Sequence, residues 1–226
     1  MEVIIPQQTE GQIGIGHVEK QNKYPVLYLL HGMTDNQTIW TRNTSIERYA
    51  AEHGIAVVMP NAHLGWYTDM QYGFDYFTFF SEELPTLCER FFPCISNDPK
   101  DRFVTGNSMG GYGAFKLGLT CPEKFAAIGG VAGSYHAEYR YQGKVNTVST
   151  LCEALYGDPP AITPEVHDVF TLLKNRKEEG LSLRVDGRKS RASRSFVYLL
   201  RYRGQTSPGF GRSEGVCGSA GRSAAV

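Results

Sequence analysis

The chain has 226 residues, its 23 lysines and arginines balance 23 aspartates and glutamates, and 41% of it is apolar. This suits one globular domain with a sizeable core and excludes a largely disordered chain. No apolar run approaches the length of about 18 residues that spans a bilayer, no basic start leads into a long apolar stretch, and zero net charge argues against a nucleic-acid partner held by bulk electrostatics. The expectation is therefore a cytoplasmic protein with no membrane and no nucleic-acid partner. Its five cysteines (Cys88, Cys94, Cys121, Cys152 and Cys217) form no C-x-x-C pair and read as reduced thiols.

The neutrality is a cancellation. Residues 1–181 carry 14 basic and 21 acidic side chains, a net charge of −7, and residues 182–226 carry 9 basic and 2 acidic, a net charge of +7. Two parts of different composition share one chain.

In chain order, QIGIGHVE at 12–19 alternates like a half-buried strand, and PVLYLL at 25–30 is a continuous apolar run like a strand buried on both faces. Thr44 and Glu47 have the spacing of a capping box, opening a helix that stops near His53 at Gly54. IAVVM at 55–59 is a second buried strand. Residues 76–92 place Tyr76, Phe79, Phe80, Leu84, Leu87, Cys88 and Phe91 at helical spacing, with a kink expected at Pro85. RFVT at 102–105 predicts a short strand, residues 109–119 a glycine-weakened helix, and residues 125–132 another buried strand. Thr163, Pro164 and Glu165 open a helix expected to run to Gly180, with Val166, Val169, Phe170 and Leu173 on its apolar face. This alternation predicts an α/β fold, a mostly parallel sheet with helices on both faces and a ligand site beyond the carboxyl ends of the strands. In residues 182–226 only FVYLLRY at 196–202 reads as a strand; the remainder is low in complexity and is expected to be disordered.

Residues 106–110 read Gly-Asn-Ser-Met-Gly, a G-x-S-x-G match. The pattern is cheap, arising by chance about 0.2 times in a chain of this composition, so context must support it. Gly211-Arg212-Ser213-Glu214-Gly215 matches equally well but has no strand before it and no helix after it; Ser108 has both. A serine on such a strand-to-helix turn presents its hydroxyl as a nucleophile, and the next backbone N–H, that of Met109, points at a developing oxyanion. The strand PVLYLL runs into His31-Gly32-Met33, which supplies the second oxyanion donor at the Met33 N–H. His31 itself reads as a packed residue that orients this loop.

The blocks YPVLYLLHGMTDNQTIW, NAHLGWYTDM, EELP, GNSMGGYGAFKLGL and CPEKF together resemble the esterase D-like branch of the α/β-hydrolases, with greatest similarity to the bacterial tributyrin-esterase type. The likeness covers about residues 1–181. It implies an α/β-hydrolase fold, a serine carboxylesterase acting on small-molecule short-chain acyl esters, an S-formylglutathione thioester as the alternative substrate, Ser108 as nucleophile, Met33 and Met109 as the oxyanion hole, and no metal or organic cofactor. It also implies that the domain at 1–181 lacks its C-terminal elements and that residues 182–226 are an out-of-frame or foreign tail.

A triad acid and histidine follow the serine in chain order. Here no histidine follows His167, and Asp186 is the only aspartate after Asp168, in surroundings unlike the family's acid loop, so the triad acid and base are unassigned. His136, just after the strand that follows the nucleophile helix, is the best substitute by position but reads as a loop histidine. His167 reads as a solvated helix face, His17 as a strand residue and His53 as a helix end. His63 lines the site without being a base, and Asp69 is structural. The alternatives to an esterase are a catalytically inactive binding protein on the same fold and a truncated or frameshifted gene product.

Overall fold

The computed structural model describes residues 1–6, 23–135, 146–158, 160–178, 183–189 and 196–202. Among these, seven strands form one sheet: β1 (Glu2–Ile4), β2 (Val26–Leu30), β3 (Ala56–Met59), β4 (Arg102–Gly106), β5 (Ala127–Val131), β6 (Leu183–Lys189) and β7 (Phe196–Tyr202), in spatial order β1-β3-β2-β4-β5-β7-β6. The centre is parallel, β3 with β2, β2 with β4, and β4 with β5; β1, β7 and β6 pair antiparallel at the two edges. This is the mostly parallel α/β sheet expected. The predicted strand at 12–19 lies outside the described residues.

Side chains alternate across a strand, and both faces are covered here. Val26, Tyr28 and Leu30 join Ala56, Val58 and Val104 in the larger core, whereas Leu29, with Leu27 beside it, joins Val57 and Met59 in the smaller one. Burial on both faces is why these segments read as unbroken apolar runs. The helices α1 (Ile39–Asn43) and α2 (Ile46–His53) cover the smaller core through Trp40, Ile46 and Ala50. The helix α2 begins one residue later than expected, with Ser45 at its cap. The Thr44 hydroxyl still accepts from the Ile46 amide at 3.2 Å, and Gly54 closes the helix at φ 59°, ψ 41°.

The region of the expected kink is a change of helical pitch. A short α3 (Tyr76–Thr78) passes through a π-helical turn at Phe79–Glu83 into α4 (Leu84–Phe91). Pro85 has no N–H and its ring clashes with the carbonyl four residues back. The wider turn relieves that clash, and the Ser81 carbonyl accepts from Lys124 Nζ at 3.1 Å. The helix α5 (Met109–Thr120) follows β4 and is buried from Met109 to Leu119; Arg176 caps its last turn by donating to the Leu119 and Thr120 carbonyls at 2.6 and 3.0 Å.

Beyond α6 (Asn146–Tyr156), the single helix expected from Thr163 to Gly180 is two: α7 (Pro164–His167) and α8 (Val169–Glu178). Asp168 breaks them, with extended φ −99°, ψ 119°, and its Oδ1 accepts from the Thr171 amide at 2.8 Å as a helix N-cap does. The break rotates the apolar face: Val169 and Leu172 are buried, while Val166 and Phe170 are exposed. In the basic segment, β7 confirms the FVYLLRY strand, and β6 is a strand in a stretch expected to be disordered. The pair extends the sheet past β5 in antiparallel fashion. Among the described residues, no helix is long and apolar enough to cross a membrane. Cys88, Cys94, Cys121 and Cys152 are free thiols, and Cys217 lies outside the described residues.

Candidate active site

The register Leu30↔Gly106 brings the carboxyl ends of β2 and β4 side by side. The segments His31-Gly32-Met33 and Asn107-Ser108-Met109 therefore leave the same edge of the sheet as neighbours. Ser108 turns the chain from β4 into α5 at φ 54°, ψ −113°, a conformation that a residue with a β-carbon adopts only under constraint. Hydrogen bonds hold it there. Its amide donates to the Val131 carbonyl at 2.8 Å, its carbonyl accepts from the Tyr112 amide at 3.1 Å, and Gly110 N–H donates to Asn107 at 2.8 Å.

The flanking glycines are there because no β-carbon fits. One on Gly106 would stand 2.5 Å from the Gly110 carbonyl group, and one on Gly110 would stand 2.4 Å from the Leu30 carbonyl oxygen. Both obstacles are backbone. Gly32 lies against the nucleophile candidate, since a β-carbon built on it would be 3.6 Å from Ser108 Cβ. Met33 follows it with a partly exposed side chain, and Met109 opens α5 with its side chain fully buried. Amides in a helix's first turn have no intrahelical acceptor, so the Met109 N–H is directed out of the helix at this edge.

His31 is buried, and its ring ties two loops together. The Ala62 amide donates to its Nε2 at 2.9 Å, which leaves Nδ1 as the protonated nitrogen, donating to the Gly32 carbonyl at 2.7 Å. Burial pushes its pKa below the ordinary value, against the opposing effect of the Gly32 bond, so the ring is neutral and is spent on structure. The Tyr67 hydroxyl donates to the His31 carbonyl at 2.9 Å from a fully buried position. Gly113 of α5 leaves the space for that ring, a β-carbon there meeting Tyr67 at 2.3 Å. Sequence reasoning missed Tyr67. Its one visible signal was the aromatic block GWYTD in the loop after β3, where His63, Trp66 and Tyr67 all have positive φ.

The remaining candidates are dispersed. Asp69 is structural, as expected: its carboxylate accepts from the Thr78 amide and hydroxyl, each at 2.8 Å. His63 Nδ1 lies 2.6 Å from the Tyr76 hydroxyl. His53 ends α2. His167 departs from the solvated face expected for it: it is half-buried, its ring centroid is 5.1 Å from that of Tyr156, and its Nδ1 lies 3.0 Å from the Thr163 carbonyl oxygen. The Tyr112 hydroxyl donates to the His167 carbonyl, so α5 and α7 are joined through that carbonyl. Asp186 falls in the edge strand β6, paired with Leu199. His17, His136 and Ser213 lie outside the described residues. Among the described residues no histidine nitrogen is hydrogen-bonded to the Ser108 hydroxyl, and no group of three or more His, Cys, Asp or Glu side chains is arranged to hold a metal.

Residues 7–161 match the sequence model of the family described as "Putative esterase". An S-formylglutathione hydrolase of Paracoccus denitrificans is 27% identical over 204 residues, 80% of this chain and 68% of that protein. Two solved structures from Staphylococcus aureus are also similar. The fluorophosphonate-binding serine hydrolase F aligns with a TM-score of 0.64 and 33% identity, and an S-formylglutathione hydrolase with 0.61 and 32%; each alignment covers 79% of this chain and 67% of the other.

Proposed function

The chain belongs to the esterase family, whose similar members are α/β-hydrolase serine hydrolases, and from that premise we propose that it is a serine carboxylesterase of short-chain acyl esters with Ser108 as nucleophile. The observation that carries the reading is the Ser108 turn, held at positive φ between two glycines whose β-carbons have no room. Ser108 Oγ attacks the acyl carbonyl carbon. The carbonyl π electrons move onto oxygen, and the Met33 and Met109 N–H groups donate to that oxyanion. Collapse breaks the acyl C–O bond, the departing oxygen takes up the proton given up by the serine and leaves as the alcohol, and the acyl-serine that remains is hydrolysed by water to the acid and free serine. The names of the similar hydrolases support an S-formylglutathione thioester as the alternative substrate, with the same bond changes and a thiol leaving group.

The serine proton needs an acceptor, and none of the described histidines bonds to that hydroxyl. This favours a second reading, an inactive acyl-binding protein on the same fold. Loss of a triad base leaves about 10³–10⁴-fold acceleration over water from the oxyanion hole and binding. Hydrolysis of p-nitrophenyl acetate and butyrate by the purified chain, compared with Ser108→Ala, separates the two. Turnover abolished in the variant supports the esterase; a soluble, cooperatively unfolding protein with no turnover supports the binding reading. The compositional switch at residue 181 supports a boundary there between the hydrolase unit and a tail of other origin. Sequencing the coding DNA tests this, and a frame continuous with related genes through that point counts against it.

A further inference from the structure

A cleft of about 460 Å³ opens beside the loop that follows β3, and nothing in the acyl-transfer chemistry above uses it. Its walls are Phe74, Tyr76 and Phe79, joined by Asn61 and His63 of the loop that follows β3. The Ala62 amide, next to Asn61 in the chain, donates to His31 Nε2, and the residue after His31, Gly32, lies against Ser108. The cleft and the nucleophile thus share the carboxyl edge of the sheet.

The aromatic walls form a corner. The Phe74 and Tyr76 planes are inclined at 68° with centroids 5.8 Å apart, so the edge of one ring meets the face of the other. Tyr76 is buried, and Gly65 makes room for its ring, because a β-carbon there would fall 2.0 Å from Tyr76 Cδ2. Phe74 is 71% exposed, a large apolar ring held at the cleft mouth. Among the described residues the charges lining the cleft have one sign: Asp75 and Glu83 contribute carboxylates, and no described lysine or arginine lines it. Asp75 stands at the N-cap position of α3 yet makes no capping bond, a task that Asp69 performs. A metal ion does not fit, since no described cluster of three ligating side chains is present. Aromatic faces attract weakly hydrated cations, methylated ammonium groups above all, and nearby carboxylates add to that attraction.

We propose that this aromatic and acidic cleft binds a substituted ammonium group, and that, if Ser108 acts as the esterase nucleophile, it is the subsite for a cationic leaving group on the ester substrate. The second clause rests on the esterase reading, whereas the first does not.

Binding is measured on Ser108→Ala protein, so that no turnover intervenes. Choline is titrated calorimetrically against 3,3-dimethylbutan-1-ol, its uncharged isostere. The expected result is choline binding at least about threefold tighter than the alcohol, weakened about two- to fivefold in Glu83→Gln and in Phe74→Ala, the range of one exposed cation–π or ion-pair contact. Both side chains are exposed, so the unfolding midpoints of these variants stay near that of the parent and lost binding is not lost folding. Equal binding of the two probes, or choline binding untouched by both substitutions, overturns the proposal. With the Ser108 protein, butyrylcholine is then compared with 3,3-dimethylbutyl butyrate. A kcat/KM ratio above one that falls in Glu83→Gln supports the subsite, and a ratio of one or below overturns it as a leaving-group subsite. If neither ester is hydrolysed while choline still binds, the catalytic reading fails and the cation site stands.

Discussion

Two of the loops at the carboxyl edge of the sheet that hold residues at positive φ, those after β3 and β4, do so by opposite means. The turn after β4 is built by leaving atoms out: Gly106 and Gly110 allow backbone to touch backbone around Ser108. The loop after β3 is built by putting atoms in: Trp66 and Tyr67 fill the space above α5, and the Tyr67 hydroxyl and the His31 ring fasten it to the loop after β2. In the first, strain is held by an over-determined backbone and a single added carbon breaks it. In the second, strain is held by side chains, so it can be relaxed by degrees. The difference teaches that the strained Ser108 turn is fixed from all sides by backbone, whereas the loop after β3 is pinned by side chains at two points.

Substitutions test this contrast in descending order of effect. Gly110→Ala forces a β-carbon into the Leu30 carbonyl, and a loss of about 3 kcal/mol or more in urea unfolding is expected, or no soluble protein at all. Tyr67→Phe keeps the ring and removes one hydrogen bond, leaving a buried carbonyl without that donor. The expected loss is about 1–2 kcal/mol with the fold retained, measured by the same unfolding curves. A loss equal to that of Gly110→Ala would erase the distinction between the two loops. Ser108→Gly removes the strained β-carbon and is expected to raise stability by about 1 kcal/mol while abolishing any hydrolysis; an unchanged or lower midpoint would mean that the turn stores no strain.

The smallest effect is on pH dependence. The folded His31 pKa lies below the ordinary 6.5 because the ring is buried, so below that pH the unfolded chain binds the proton more readily than the folded one. The contribution is fully present above 6.5 and is lost as pH falls toward the folded value. His31→Gln cannot titrate, so its melting temperature is expected to fall less between pH 7.5 and pH 5.5 than that of the parent. Parallel curves would exclude His31 as a source of acid sensitivity.

Much of this was legible before the structure. The runs PVLYLL and IAVVM announced strands buried on both faces, and the strand–GNSMG–helix order announced the turn on which Ser108 stands. The break at Asp168 was not legible, because a helical spacing of Val166, Val169, Phe170 and Leu173 is equally compatible with one helix or two; the capping bond that the Thr171 amide donates to Asp168 decided it. The strand β6 was hidden for another reason. Its residues LRVDGRK alternate apolar and polar only over 183–186 before a glycine and two cations, and it pairs through backbone with β7.

What the sequence determined by itself is what depends on near neighbours along the chain: which segments are apolar on both faces, where glycine permits a sharp turn, and that a serine stands on that turn. Tertiary structure alone decided how the turn is served. The His31 ring is neutral and structural because it meets an amide 31 positions away, and Tyr67 reaches the His31 carbonyl across 36. The Phe74–Tyr76 corner exists because Gly65 lets a ring pass. Such contacts are hydrogen bonds and steric fits between remote segments. No spacing rule along the chain encodes them, because they come into being only when the sheet has brought its loops to one edge.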